Sequence, residues 1–312
     1  MSLAYMPVVS RVGYHRSRSY REFLLNRGFH IVWSYLVLDL WTVTARYDPY
    51  FVPGPPLSLS HPLPSALANL SPTVLSLVRT LLAAAGTLGA LNHIFNLAQV
   101  ISALSPFARY NPLWQHPSIN GSFSLTVLDE GLAGFWGGWW HQSFRLGFTL
   151  PTAYLVRMGW LPPARTVVTK RVGMFIAFLL SGLMHSAADC SAVPKMTDAR
   201  TPMLFFLLQF VGVVVQEILV KGVRRMMGQE KIPRMWKRVG NLIFVAAWLH
   251  WTNELLIGDM SRGALWLHEP VPWSLLRAMG FGPPGDLSWR WDIEYIPKWH
   301  WGQHWWESGV RL

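Results

Sequence analysis

The sequence predicts an all-α, polytopic integral membrane protein with a bundle of helices and some re-entrant or interfacial segments. Three observations carry that prediction. Of 312 residues, 51% are hydrophobic and only 14% are charged, against about 25% charged in an ordinary soluble domain. The apolar residues gather into runs near the length that crosses a bilayer as helix, about 17–25 residues. The few charges collect between those runs.

Charge sign points the same way. Lys and Arg number 27 against 16 Asp and Glu, a formal net charge of +11. In a soluble chain this balance reads as a nucleic-acid footprint. In a membrane chain it is the Lys/Arg excess of cytoplasmic loops, so the expected partner is the lipid bilayer and no nucleic acid. The single cysteine, Cys190, excludes an internal disulfide.

Residues 1–30 hold Arg11, Arg16, Arg18, Arg21 and Arg27 with no early apolar stretch, the pattern of a basic cytoplasmic segment rather than a cleavable signal peptide. Residues 31–46 are a short candidate span with Asp39 inside it. Residues 48–72 are rich in Pro and Ser and read as an irregular loop. Residues 73–105 exceed one crossing and predict a tilted or extended helix. Residues 172–190, 203–220 and 240–257 are clear candidates, whereas 143–160 is interrupted by Arg145, Pro151 and Arg157. Residues 221–238 carry seven basic groups against one acid and read as a cytoplasmic loop. The division that results is a basic segment 1–30, a transmembrane domain 31–257 with its motif core at about 120–260, and a Trp-rich, interfacial C-terminal region 258–312. That region holds eight of the 18 Trp, a density that suits either a membrane interface or a small folded cap.

Placing both basic segments in the cytoplasm requires an even number of crossings between them. Candidates 31–46, 73–105, 172–190 and 203–220 satisfy this, and adding 143–160 does not. The last is therefore expected to be re-entrant or interfacial. Backbone that enters a membrane without spanning it needs protein or a wet cavity around it, which puts the preceding stretch, FWGGWWHQ at 135–142, at the mouth of a cavity.

A second polar constellation is FLLSGLMHSAAD, residues 178–189. His185 falls about 13 residues, roughly 20 Å, into an apolar helix. Ser181 and Asp189 lie one turn to either side on the same face. An ionisable residue inside a span faces the bundle interior and is a functional candidate by default. Apolar surroundings keep the imidazole neutral and able to take a proton, as a general base must. The bland alternative is a neutral His bonding a neighbouring helix. Gln209, Gln216 and Glu217 in FFLLQFVGVVVQE (205–217), with Asn92, His93, His250, Asn253 and Glu254, read mainly as interhelical hydrogen-bonding groups. His300 and His304 make one HxxxH pair, short of a metal site, so no metal is expected. Phosphate-binding glycine loops and the G-x-S-x-G elbow are absent from the sequence.

Taken together, FWGGWWHQ, the SGLMH that places His185 44 residues after His141, and FFLLQFVGVVVQE resemble, in order, the FWxRRWHQ, SGLxH and FFxxQGxxxxxE blocks of the wax-synthase-like branch of the membrane-bound O-acyltransferases. The resemblance covers about residues 120–260. FWGGWWH is also similar to the FYxDWWN block of sterol and diacylglycerol acyltransferases, with His141 where those have Asn and His185 on their catalytic His. Gly137, Gly138 and Trp139 replace the charges usual before WHQ, so a role carried by those charges is absent or moved. The compact chain resembles fungal acyltransferases that decorate terpenoid or meroterpenoid alcohols.

The resemblance implies acyl transfer from an acyl-CoA co-substrate, acetyl-CoA favoured, to the hydroxyl of a hydrophobic alcohol, in the endoplasmic reticulum membrane and with no bound cofactor. It implies His185 and His141 as the catalytic pair, Gln142, Trp140, Trp136 and Gln209 as oxyanion or positioning groups, and Asp189 as a residue that could orient His185. A long-chain alcohol or sterol acceptor is the alternative within this class. A transporter using His185 and Asp189 is the alternative outside it. Transporters commonly show internal repeats with paired broken helices, and the sequence has no such repeat.

Overall fold

The computed structural model describes residues 10, 12–51, 63–106, 116–192, 198–227, 232–262, 266, 269, 271–282, 285–291, 298–305 and 308–311. They are overwhelmingly helical, and among them three helices are long and apolar enough to cross a membrane: Pro72–Leu104, Val167–Ser191 and Arg200–Met227. These answer the candidates 73–105, 172–190 and 203–220. The candidates 31–46 and 240–257 are not in that set. Their helices, Tyr20–Ala45 and Arg234–Thr252, mix apolar residues with His30, Ser34 and Asp39, or with Asn241, His250 and tryptophans. The chain divides into two compact units, one of Met1–His15, Ser118–Ala188 and Asp198–Leu256, the other of Arg16–Pro117, Asp189–Thr197 and Ile257–Leu312.

The second unit is built on α1 (Tyr20–Ala45), the short α2 (Ser65–Ala68) and α3 (Pro72–Leu104). Ser19 starts α1 by accepting the Glu22 N–H, and the Glu22 carboxylate accepts the Arg18 N–H, so two otherwise orphan donors are satisfied. Ser71 caps α3 in the same way, with Pro72 at its first position, where the missing N–H costs nothing. The two helices pack on each other, and Trp41, Ala45, Phe51, Ala83 and Ile257 form a core there. Arg21 and Arg27 of the basic segment are thus helical. Arg27 is buried, donating to Asn96 Oδ1 at 3.0 Å and the His116 carbonyl at 3.2 Å.

The Trp-rich region belongs, in its described part, to this unit. It holds α9 (Ile257–Arg262), α10 (Leu275–Ala278) and two short antiparallel strands, β1 (Lys298–His300) and β2 (Gly309–Arg311). Buried ion pairs anchor it. Glu269 meets Arg46, Arg277 and Arg290, and Asp286 meets Arg277 and Arg290. Asp39, which looked out of place in a span, accepts from Ser274 and from the Leu276 N–H.

The first unit holds α4 (Asp129–Gly134), α5 (Arg145–Arg157), α6 (Val167–Ala192, up to Ala188), α7 (Arg200–Met227) and α8 (Arg234–Thr252). Two π-helical turns, Ser124–Leu128 and Phe135–Trp139, flank α4. At 13 residues α5 is about 20 Å long, too short to cross a bilayer. The basic stretch 221–238 is mostly helix rather than loop. Lys221, Arg224 and Arg225 end α7, and Arg234, Lys237 and Arg238 begin α8. Lys and Arg are good helix formers, and those on α7 also suit the negative end of its dipole. Arg234 and Arg238 both reach Asp129, at 2.6 and 2.7 Å.

Candidate active site

The glycines and aromatics of FWGGWWHQ make sense once the backbone is followed. Helical geometry breaks at Gly131, whose φ of +67° and ψ of −139° suit glycine and few other residues. A Cβ there would lie 2.2 Å from Gln216 Nε2. Gln216 instead uses the space, accepting the Leu132 N–H at 2.8 Å and donating to Asn241, which in turn donates to the Leu128 carbonyl. After this break the chain winds as a π turn over Phe135–Trp139, closed by Trp140 N–H to the Phe135 carbonyl at 2.7 Å. Such widened turns are frequent at functional sites. Gly138 is buried, and a Cβ on it would sit 2.6 Å from Thr126 Cγ2, whereas Gly137 has nothing within 4 Å and lines a cavity.

That cavity, of about 310 Å³, lies wholly within the first unit. Trp136, Trp140, His141 and Gln142 contribute from the motif, Phe144, Arg145 and Phe148 from the start of α5, and Ser181 and His185 from α6. Its apolar wall continues through Phe178 and Phe206 into an aromatic cluster, with Trp136 edge-on to Phe178 and Phe206 and Phe135 stacked on Trp140. The sequence motif and the transmembrane histidine thus meet in one chamber.

His185 is half-buried, with its ring 4.4 Å from the Phe206 ring. Its Nδ1 lies 2.8 Å from the Ser181 carbonyl oxygen. A carbonyl can only accept, so the ring proton sits on Nδ1 and the Nε2 lone pair is left for another proton. The orienting partner of Nδ1 is therefore this carbonyl in place of Asp189. Side chains on a helix tilt toward its N-terminus, so the ring leans back over Ser181 and away from the next turn. Asp189 does not line the cavity and falls in the second unit.

His141 is also half-buried, 5.4 Å from the Trp140 ring and 6.2 Å from the Phe144 ring. Burial first, and the charge His185 can carry second, push its pKa down to about 4. It is neutral near pH 7.

The remaining sequence candidates are partly committed elsewhere. Gln142 donates from Nε2 to the Trp136 carbonyl at 3.0 Å and the Trp140 carbonyl at 2.6 Å. With both amide protons used, it holds the loop rather than offering an oxyanion donor. Gln209 is fully buried and does not line the cavity. It accepts from Trp136 Nε1 at 3.4 Å and donates to the Phe205 carbonyl and to Thr252 Oγ1, so it positions Trp136 from behind. Glu217 pairs with Arg171 and Lys221 and takes no part in the chamber.

Two residues at the site were not singled out from sequence. Arg145, read only as an interruption of an apolar run, lines the cavity and donates from Nη1 to the Gly137 carbonyl at 2.8 Å and to Gln142 Oε1 at 2.9 Å. Its position three residues after WHQ was the available signal. Tyr14 donates to the Trp140 carbonyl at 3.2 Å, and burial pushes its pKa up to about 12 against the opposing charge of Arg145. Around it, Ser122 N–H meets the Val12 carbonyl and Ser118 N–H the His15 carbonyl. Nothing local to residues 12–15 signals this backing of the motif.

With this geometry in view, the resemblance read from the motifs is borne out. Residues 116–208, which build most of the chamber, match the membrane bound O-acyl transferase family. The chain is similar to the acetyltransferase pyr8 of Aspergillus fumigatus, with 24% identity over 251 residues, 78% of this chain and 56% of that protein. It is also similar to the acetyltransferase TRI7 of Fusarium sporotrichioides, with 26% identity over 53% of this chain and 38% of that protein. The acetyltransferase ataH of Aspergillus terreus is 26% identical over 76% of this chain and 77% of that protein. The chain thus spans little more than half of pyr8 and less of TRI7. No solved structure matches it significantly.

Proposed function

We propose that this protein is a membrane-bound O-acyltransferase. It moves an acetyl group from acetyl-CoA to a hydroxyl of a hydrophobic small molecule, a terpenoid or meroterpenoid alcohol of fungal secondary metabolism. The observation that carries the reading is the tautomer of His185, with Nδ1–H given to the Ser181 carbonyl and Nε2 left as a base in a chamber it shares with His141. The names of the similar proteins support acetyl as the group transferred.

A hydroxyl attacks a thioester well only if its proton leaves as the new bond forms. Nε2 of His185 takes that proton, the alcohol oxygen bonds to the thioester carbon, and the carbonyl π electrons move onto oxygen. The oxyanion needs donors, and one well-placed donor is worth about 2.7–4 kcal/mol. Neutral His141 and the indole N–H of Trp140 serve here. The tetrahedral intermediate collapses as the C–S bond breaks. The leaving thiol has a pKa near 8.5, so it departs readily as thiolate and recovers the proton from His185. The aromatic wall keeps water from competing for the thioester. A cavity of about 310 Å³ sits at the small end of small-molecule sites, in keeping with a compact acceptor.

The test uses microsomes carrying wild type or His185→Ala, with radiolabelled acetyl-CoA or palmitoyl-CoA and a panel of terpenoid, sterol and fatty alcohols. Acetyl ester formed by wild type and lost in the variant at equal expression supports the proposal. Transfer of palmitoyl alone turns it into the long-chain alternative. Equal turnover in the variant removes His185 from catalysis. Donor left unconsumed while a candidate solute crosses the membrane favours a transporter.

A further inference from the structure

We infer that Arg145 is an oxyanion-binding residue of the chamber, receiving an anionic oxygen group from one of the substrates, either a phosphate of the thioester donor or a carboxylate or enolate of the acceptor. The inference rests on the acyl-transfer reading of the same chamber. Among the described residues lining the cavity, Arg145 is the one arginine, with no Lys, Asp or Glu beside it, the others being aromatic, aliphatic, thioether, hydroxyl, amide or imidazole side chains and glycines. Arg145 is an exposed cation on an otherwise largely apolar wall, and because a guanidinium is weakly hydrated, an anion arriving there displaces little tightly held water.

Its bonding pattern says which edge is left for that anion. A guanidinium has five N–H donors. The two on Nη1 go to the Gly137 carbonyl and Gln142 Oε1. The Nε and Nη2 protons meet no acceptor among the described residues. Nε and Nη2 form the side-on fork that takes an oxyanion through two parallel hydrogen bonds. Four other arginines of this unit pair with carboxylates, Arg171 with Glu217, Arg200 with Asp198, and Arg234 and Arg238 with Asp129, and none of these four lines the cavity. Arg145 has no carboxylate partner among the described residues. Held at Nη1 by a loop that Gln142 ties down, the group is oriented before any ligand arrives, so little of its freedom remains to be lost on binding.

The experiment compares wild type with Arg145→Ala, Arg145→Lys and Arg145→Gln in detergent solution. Gln keeps an N–H for the Gly137 carbonyl but carries no charge, so it separates charge from loop support. Binding of desulfo-coenzyme A and of acceptors with and without an acidic group is measured directly, without turnover. KM is measured for acetyl-CoA and for the phosphate-free donor S-acetyl-N-acetylcysteamine. The expected result is a loss of at least tenfold for the anionic ligand alone in Arg145→Ala and Arg145→Gln, partly restored in Arg145→Lys. Loss confined to desulfo-coenzyme A and acetyl-CoA assigns the anion to the donor, and loss confined to acidic acceptors assigns it to the acceptor. Equal losses for charged and uncharged ligands, a fall in kcat at constant KM, or wild-type protein that binds none of the anionic probes overturns the inference. Absence of turnover with intact, Arg145-dependent binding would instead sink the acyl-transfer reading and leave the anion site standing.

Discussion

Nδ1 of His185 donates to the carbonyl oxygen of Ser181, one turn earlier on the same helix, at 2.8 Å. Because the acceptor is backbone, the tautomer that exposes the Nε2 lone pair is built into α6 and needs no carboxylate. Asp189 does not line the cavity, so Asp189→Asn should then leave kcat/KM close to wild type. His185→Ala should lose about 10²–10⁴-fold. Parallel kinetics on the two variants decides the matter, and a large loss in Asp189→Asn would return the orienting role to that carboxylate.

Gly131→Ala should be among the more destabilising single changes in the first unit. The new Cβ would meet the Gln216 amide at 2.2 Å on a backbone that alanine adopts only with strain. The strain alone is about 1–3 kcal/mol, and displacing Gln216 removes the Leu132 hydrogen bond as well. Gly137→Ala, with open space around its Cβ, should unfold at the wild-type temperature. Thermal unfolding of the two variants in one detergent makes the comparison.

Replacing Gln209 with Leu should lower stability by about 1–3 kcal/mol, because it strips the half-buried Trp136 indole N–H of its acceptor and the buried Thr252 of a donor. Adding Trp136→Phe removes the stranded donor, so the double variant should lose less than the sum of the two single ones. A double-mutant cycle of unfolding free energies reads this coupling. Strict additivity would mean that the 3.4 Å contact contributes nothing.

His141 makes stability depend on pH in a stated direction. Its folded pKa of about 4 lies below the usual 6.5. Between those values the unfolded chain binds more protons than the folded one, and acid pulls toward unfolding. Its contribution is therefore full above about pH 6.5 and is lost as pH falls toward 4. The drop in unfolding temperature from pH 7 to pH 4.5 should be smaller in His141→Phe than in wild type. An equal drop would show that His141 is protonated as easily folded as unfolded.

Much of this protein was legible from local pattern alone. Three apolar runs long enough to cross a membrane and the ordered motifs that led to His141 and His185 are properties of short stretches. Hydropathy over about 20 residues does not depend on what the rest of the chain does. The Trp-rich end could not be resolved in this way. What holds its described part is the pairing of Asp39 with Ser274 and of Arg46 with Glu269, partners more than 200 positions apart that meet only through folding.

At the site, sequence named most of the residues, and the tertiary structure decided what they can do. That Gln142 has no proton to spare, that His185 leans on Ser181 rather than Asp189, and that Arg145 keeps a free side-on edge all follow from where backbone carbonyls come to lie. Carbonyls are present at every residue and leave no mark in a sequence. Their positions around FWGGWWHQ are set by a break at Gly131 that Gln216 props open from another helix, and such a long-range contact is visible only in the folded chain.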